Sequence, residues 1–132
     1  MKLLADSDFW YGLVVAGDGH HAESKKLLKK VLSKDDSLYC LRLVIYETAT
    51  VLSRRIDQRR AIEFLERFRK LPVTLIDIDI ILEDSAWEIF LKQTKKGTSF
   101  IDCANLAVIE EYKLDGILSF DEFYPKEVAV RA

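Results

Sequence analysis

A chain of 132 residues can bury one core and is too short for two, so residues 1–132 are expected to form a single domain. Hydrophobic residues at 49% and charged residues at 32%, with five Gly and two Pro, exclude a disordered or collagen-like chain. A net charge of -2 excludes a uniformly basic surface, so any affinity for a polyanion must come from how the charges are distributed.

The first apolar run, Lys2 to Ala5, ends in Asp6-Ser7-Asp8 and passes straight into the apolar and aromatic Phe9 to Ala16. This pattern predicts a strand that hands a carboxylate to a helix. After Gly17-Asp18-Gly19, Leu27, Leu28, Val31 and Leu32 recur at helical spacing among lysines, predicting an amphipathic helix from about His20 to Ser33. Ser37 to Leu41 is a second strand. Leu43 to Ser53 reads as a mostly buried helix, and Asp57 is placed to N-cap another that runs through Phe64, Leu65 and Phe68 to Leu71. Pro72 stops that helix, and the β-branched Val73 to Ile76 gives a third strand. A helix beginning near Asp79 carries the stripe Leu82, Ala86, Ile89 and Phe90 and is expected to end at Lys95-Lys96-Gly97. Another spans Ser99 to about Tyr112, followed by a strand from Gly116 to Phe120 ending on Asp121, and Val128 to Val130 adds an edge strand.

Strands alternating with helices throughout predict an α/β fold, a three-layer α/β/α sandwich with a mostly parallel central sheet and right-handed crossovers. Ligands of such sheets sit beyond the C-terminal strand ends, where this pattern puts Asp6 and Asp121 together. No stretch of about eighteen uncharged apolar residues occurs, and Met1 to Asp6 lacks a long apolar core. Neither a membrane span nor a signal peptide is expected, and the expected address is the cytoplasm. Cys40 and Cys103 lack CxxC spacing and a nearby His partner, and are read as buried small hydrophobes.

Charge is segregated along the chain. Ser24 to Lys34 holds five lysines and no acid, and Ser53 to Lys70 holds seven basic residues against three acids. Thr98 to Ala132 reverses this, with seven acids against three bases. An acidic centre with basic flanks suits a metal site that handles a polyanion, although each run alone also reads as a solvated helix face.

Two further acids stand among apolar neighbours. Glu47 is the only charge in Leu43 to Leu52 and is expected to be buried, and Asp102 shares a helical face with Leu106 and Ile109. Each acid has a structural explanation of its own. Asp6 can cap the first helix and Asp121 the short turn after it, Glu47 can pair with Arg42, and Asp102 can be a first-turn acid behind a Ser99 cap. Their joint occurrence is harder to explain that way. Four clustered carboxylates without counter-charge are unfavourable unless one or two divalent ions offset them, and hard oxygen ligands select Mg²⁺ or Mn²⁺.

The ordered set resembles the PIN-domain family, and VapC-type toxins in particular. Its members are a strand running into Asp6-Ser7, Glu47 on an apolar helix, Ser99-x-x-Asp102 opening a helix, and Ser119-Phe120-Asp121-x-x-Tyr124 after the last core strand. All four acidic positions are filled, and the similarity covers nearly the whole chain. The resemblance implies a metal-dependent endoribonuclease that cuts RNA, often homodimeric and held inactive by a cognate antitoxin protein. It assigns Asp6, Asp102 and Asp121 to the metal, with Glu47 completing the ligand shell or orienting water. Ser7 and Ser119, each beside a metal-binding Asp, would support the carboxylates or bind a phosphate oxygen. Arg54, Arg55, Arg59 and Arg60 are candidates to track the RNA backbone.

Phe9, Trp10 and Tyr11 are expected in the core more than as base platforms. His20 and His21 are read as exposed first-turn residues, since adjacent helical side chains point about 100° apart and share an ion poorly. Three other functions stay open: an RNA-processing nuclease with no antitoxin, a non-catalytic RNA- or protein-binding module, and a phosphatase of the DxD type suggested by Asp6-Ser7-Asp8. The last expects Thr or Val where Trp10 stands.

Overall fold

Five apolar runs become strands in the computed structural model, which describes all 132 residues. They are β1 (Lys2–Ala5), β2 (Ser37–Leu41), β3 (Val73–Ile76), β4 (Gly116–Leu118) and β5 (Ala129–Val130). They pair in the order β3-β2-β1-β4-β5, and every pairing is parallel. Leu4 sits opposite Tyr39 on one side and Ile117 on the other, which makes β1 the central strand. Strands buried on both faces need continuous apolar sequence, and Leu4, Ala5, Ile117 and Leu118 are fully buried.

Six helices connect the strands: α1 (Ser7–Val14), α2 (His21–Ser33), α3 (Arg42–Arg55), α4 (Gln58–Phe68), α5 (Ile80–Leu91) and α6 (Phe100–Glu111). Side chains just ahead of several helices cap them. Asp6 accepts from Ser7 N, Asp57 from Arg60 N, Asp79 from Leu82 N, and Ser99 forms a capping box with Asp102. From β1 to β3 the chain steps in one direction across the sheet, then returns past β1 to β4. Right-handed crossovers put the helices of the two legs on opposite faces. Packing follows that division, with α1 against α2 and α3, α3 against α4, and α5 against α6. The point where the direction reverses is the cleft between the ends of β1 and β4.

Trp10, 1% exposed, ties α1 into the core through edge contacts to Phe9 (5.0 Å) and Phe68 (5.2 Å), and its indole N–H reaches Cys40 Sγ at 3.3 Å. Cys40 and Cys103 are both buried and free. Helices α1 and α2 pack closely, because a Cβ on Gly12 would lie 2.7 Å from Ser24 Oγ.

Three elements end earlier than expected. Helix α4 stops at Phe68 rather than Leu71, where the Lys70 and Leu71 amides turn to the Arg67 and Phe68 carbonyls. The β4 strand stops at Leu118, two residues short of Phe120, because the Phe120 amide leaves the ladder to bond Asp8 Oδ2 at 2.9 Å. Helix α5 stops at Leu91, where the Gln93 side-chain amide takes the Ile89 carbonyl at 3.0 Å. No helix is long and apolar enough to cross a membrane.

Candidate active site

Asp6 leaves β1 at the sheet's C-terminal edge, and its amide bonds the Leu118 carbonyl at 3.0 Å, so the side chain emerges between β1 and β4. It is 4% exposed. Oδ1 accepts from Ser7 N (2.8 Å) and Asn105 Nδ2 (3.2 Å), and Oδ2 accepts from Ser119 Oγ (3.0 Å) and Tyr124 OH (3.1 Å). No cation pairs with it. Burial first, then repulsion from Asp8 and Asp102, pushes its carboxyl up to about 7, against the pull of the Ser7 amide and the Ser119 hydroxyl.

Asp102 divides its oxygens between the fold and the site. Oδ2 accepts from Ser99 N at 3.2 Å and closes the capping box, while Oδ1 lies 3.3 Å from Tyr124 OH. Its carboxyl is raised, chiefly by burial, with Asp121 repulsion in the same direction. Asp121 is exposed at the mouth, three residues past β4, where Oδ1 caps the following turn through Phe123 N at 2.9 Å. The Ser119 hydroxyl accepts from Asp121 N and lies within bonding distance of both Asp6 and Asp8. Ser7 contributes its backbone N–H to Asp6 and borders the cleft.

Glu47 differs from expectation. It is half-buried, and Arg42 pairs with Asp77 instead. Val44, Ile45, Thr48 and Leu52 form the buried face of α3, whereas Glu47, Val51 and Arg55, four residues apart, line one wall of a cleft of about 320 Å³. The other wall carries Ser7, Asp8, Tyr11, Asp18 and His20. Asp6, Asp102 and Asp121 do not line this cleft, so Glu47 faces the acidic centre across Asp8.

Three residues of the site carry no site role in the sequence reading, although Asp8 follows Asp6-Ser7 and Tyr124 closes the motif that begins at Ser119. Asp8 accepts from Phe120 N and Ser119 Oγ on Oδ2, while Oδ1 is buried with no partner. Burial raises its carboxyl, and Asp121 repulsion adds to that. Asn105, fully buried, donates to Asp6 and to Tyr124 OH. Burial raises the Tyr124 phenol, so it stays protonated and can donate to Asp6 or Asp102. The signals available were the second acid of Asp6-Ser7-Asp8 and a lone amide in the apolar run Cys103 to Ile109.

Among the four arginines, only Arg55 lines the cleft. Arg54 borders a separate hollow with Thr50 and Ser53, while Arg59 and Arg60 lie 3.6 and 3.4 Å from Glu63. Phe9 and Trp10 are in the core and Tyr11 is at the cleft. His20 is exposed as expected, yet it too borders the cleft.

As placed, no three His, Cys, Asp or Glu side chains converge closely enough to hold an ion. The chemistry of the donors nonetheless fits a hard divalent cation. The acids are all oxygen donors, and the five ion pairs of the chain leave Asp6, Asp8, Asp102 and Asp121 without a basic partner. Asp8 Oδ1 is an orphaned buried acceptor within that set.

The PIN domain model matches residues 3–128. The chain belongs to the PIN domain family. This PIN domain is 29% identical over 119 residues to the 23S rRNA-specific endonuclease VapC20 of Mycobacterium tuberculosis, in strains CDC 1551/Oshkosh and ATCC 25618/H37Rv. The match covers 90% of this chain and 88% of the relative. The crystal structure of M. tuberculosis VapC20, a sarcin-ricin loop cleaving toxin, matches it with a TM-score of 0.86 at 27% identity, covering 98% and 99% of the two chains. VapBC2 from Rickettsia felis, bound to a DNA fragment from its promoter, shares the fold with a TM-score of 0.73 at 11% identity over 98% of each chain.

Proposed function

We propose that this PIN domain is a metal-dependent endoribonuclease that hydrolyses RNA phosphodiester bonds and serves as the toxin of a toxin–antitoxin pair. The observation that carries the reading is the group of uncompensated carboxylates around buried Asp6 at the reversal point of the sheet, in a chain alike over its length to an rRNA endonuclease. Asp6, Asp102 and Asp121 would hold one or two Mg²⁺ or Mn²⁺ ions, with Asp8 beside them. Such an ion, when bound, activates water and neutralises charge on the attacked phosphate. Ser119 and Tyr124 orient the carboxylates, Asn105 fixes Asp6, and Glu47 orients water from the opposite wall. Arg55 offers the cleft a cation for the RNA backbone. Since VapC20 is specific for 23S rRNA, ribosomal RNA is the first substrate to try.

An antitoxin would find an apolar groove between α1, α2 and α4, lined by Trp10, Leu13, Leu28, Phe64 and Phe68 and rimmed by Arg67 and Lys70. This groove suits a segment with apolar anchors and acidic flanks. A homodimer would cover α5, where Ile80, Ile81 and Leu91 are 75%, 66% and 80% exposed. The cytoplasm is the compartment in which such a toxin meets its RNA.

The test is cleavage of a mixed labelled RNA pool with Mn²⁺, with EDTA, and with Asp102→Asn. Cutting that requires both the metal and Asp102 is expected. Absence of divalent-ion binding by calorimetry would overturn the reading.

A further inference from the structure

Helix α2 opens on His20, and a ring of one segment meets a ring of another there. The His20 imidazole lies on the Phe120 ring with centroids 4.1 Å apart and planes 6° from parallel. The Arg131 guanidinium is over the same Phe120 ring, 5.0 Å from its centroid. The backbones of both ring residues and the guanidinium itself are anchored. His20 N donates to Asp18 Oδ2 at 3.0 Å, and Phe120 N donates to Asp8 Oδ2 at 2.9 Å. Arg131 makes a bidentate pair with Glu23, both contacts at 2.8 Å. That pair holds the Glu23 carboxyl down at about 2.

This cluster borders the cleft beside the acidic centre. His20 is exposed and borders the cleft with Asp8, Glu47 and Arg55, and Phe120 lies between Ser119 and Asp121 of the acidic centre. The other aromatic residue at the cleft, Tyr11, is half-buried, while Phe9 and Trp10 are sealed in the core. Parallel stacking also differs from the edge-to-face geometry of the core pairs Phe9–Trp10 and Trp10–Phe68. A face-to-face stack ending at solvent is a surface on which another flat ring can be added. A nucleobase is such a ring, and stacking is indifferent to its identity.

We propose that His20, Phe120 and Arg131 form a preorganised stacking platform that holds an unpaired RNA base on His20, beside the phosphate to be cut. The inference rests on the ribonuclease reading and adds to its cleft a surface, built from His20, Phe120 and Arg131, that holds one base. Because the platform is already assembled, binding orders few side chains, and the base positions its neighbouring phosphate toward Asp8 and Asp6. His20 is thus a positioning residue that acts on the substrate through its ring.

The test measures binding of short single-stranded RNAs carrying 2-aminopurine at each position in turn, to the full chain in EDTA, by quenching of the base's fluorescence. Wild type and His20→Trp are expected to quench. His20→Ala is expected to lose about tenfold or more in affinity together with the quench, the scale of one base–aromatic stack. His20→Lys, which keeps a cation and loses the ring, is expected to fail as His20→Ala does. Thermal unfolding of the variants separates stacking from a mere clasp between α2 and the C-terminal tail. Wild-type binding by His20→Ala, or rescue by His20→Lys, would overturn the platform and leave the nuclease reading intact. If wild type neither binds nor cuts any RNA, both fall.

Discussion

Asp6 makes a prediction about stability that needs no substrate. Its carboxyl is raised from the ordinary 3.8 to about 7 by burial and by Asp8 and Asp102. The folded protein therefore favours the proton more than the unfolded chain does. Stability from this group is fully present below about pH 4 and is lost as pH rises through about 7. At about 1.36 kcal/mol for each tenfold change, the loss is on the order of 4 kcal/mol, a large part of the margin of a small domain. Asp8 and Asp102 are raised too, so their stabilities fall in the same direction. The measurement is urea unfolding of metal-free protein from about pH 5 to about pH 8, wild type against Asp6→Asn. Asparagine still accepts from Ser7 N and carries no charge. The variant is expected to show a flatter profile and to exceed wild type above about pH 7. Excess Mn²⁺ is expected to restore wild type there and to do little for the variant. Parallel wild-type and variant profiles would refute the idea that a buried, uncompensated charge sits at this position.

Asp8→Asn removes the largest charge acting on Asp6 and gives the orphaned Oδ1 position a neutral group. It is expected to stabilise the metal-free protein near pH 8 while weakening Mn²⁺ binding by about tenfold in titration calorimetry. Tyr124→Phe keeps the ring and deletes the hydroxyl shared by Asp6, Asp102 and Asn105. A loss of about 1–3 kcal/mol in urea unfolding at neutral pH is expected, along with slower cleavage. Arg55→Glu, at the cleft, is expected to weaken RNA binding and reduce its salt dependence by about one counterion. Arg59→Glu, at a site already paired with Glu63, should change filter-binding affinity far less.

The strand positions were legible because inner strands of a parallel sheet are buried on both faces and demand apolar runs, which Leu3 to Ala5 and Leu38 to Leu41 supply, while the edge strand Val73 to Ile76 shows in its β-branched residues. Boundaries failed where a distant group intervened. No local pattern announces that Phe120 N will desert β4 for a carboxylate 112 residues away in the chain. Glu47 misled for a different reason. One charge in ten mostly apolar residues suggests burial, yet helical spacing sets Glu47, Val51 and Arg55 on a cleft wall, apart from the core face of Val44, Thr48 and Leu52. Asn105 and Tyr124 reach Asp6 and each other only when α6 meets the loop after β4. The His20–Phe120 stack joins segments a hundred residues apart, which periodicity cannot see.

In the sequence each acid reads as either a cap or a ligand, and in the structure each accepts a backbone amide in a way that is compatible with the proposed ligand role. Asp6 gives Oδ1 to the first amide of α1 and Oδ2 to the hydroxyls of Ser119 and Tyr124. Asp102 gives Oδ2 to the Ser99 amide and Oδ1 to Tyr124, and Asp8 gives Oδ2 to Phe120 N and leaves Oδ1 free. Asp121 holds Phe123 N. In each case a backbone N–H fixes one oxygen. A backbone amide bonded to a carboxylate favours its ionised form, partly offsetting the burial and repulsion that would protonate it. Caps at the ends of β1 and β4 therefore hold like charges together without a salt bridge, which would otherwise neutralise the site. Under the proposed metal role, the same bonds that start α1 and α6 would keep the carboxylates oriented for a cation, so removing a cap here should cost stability and ion affinity together.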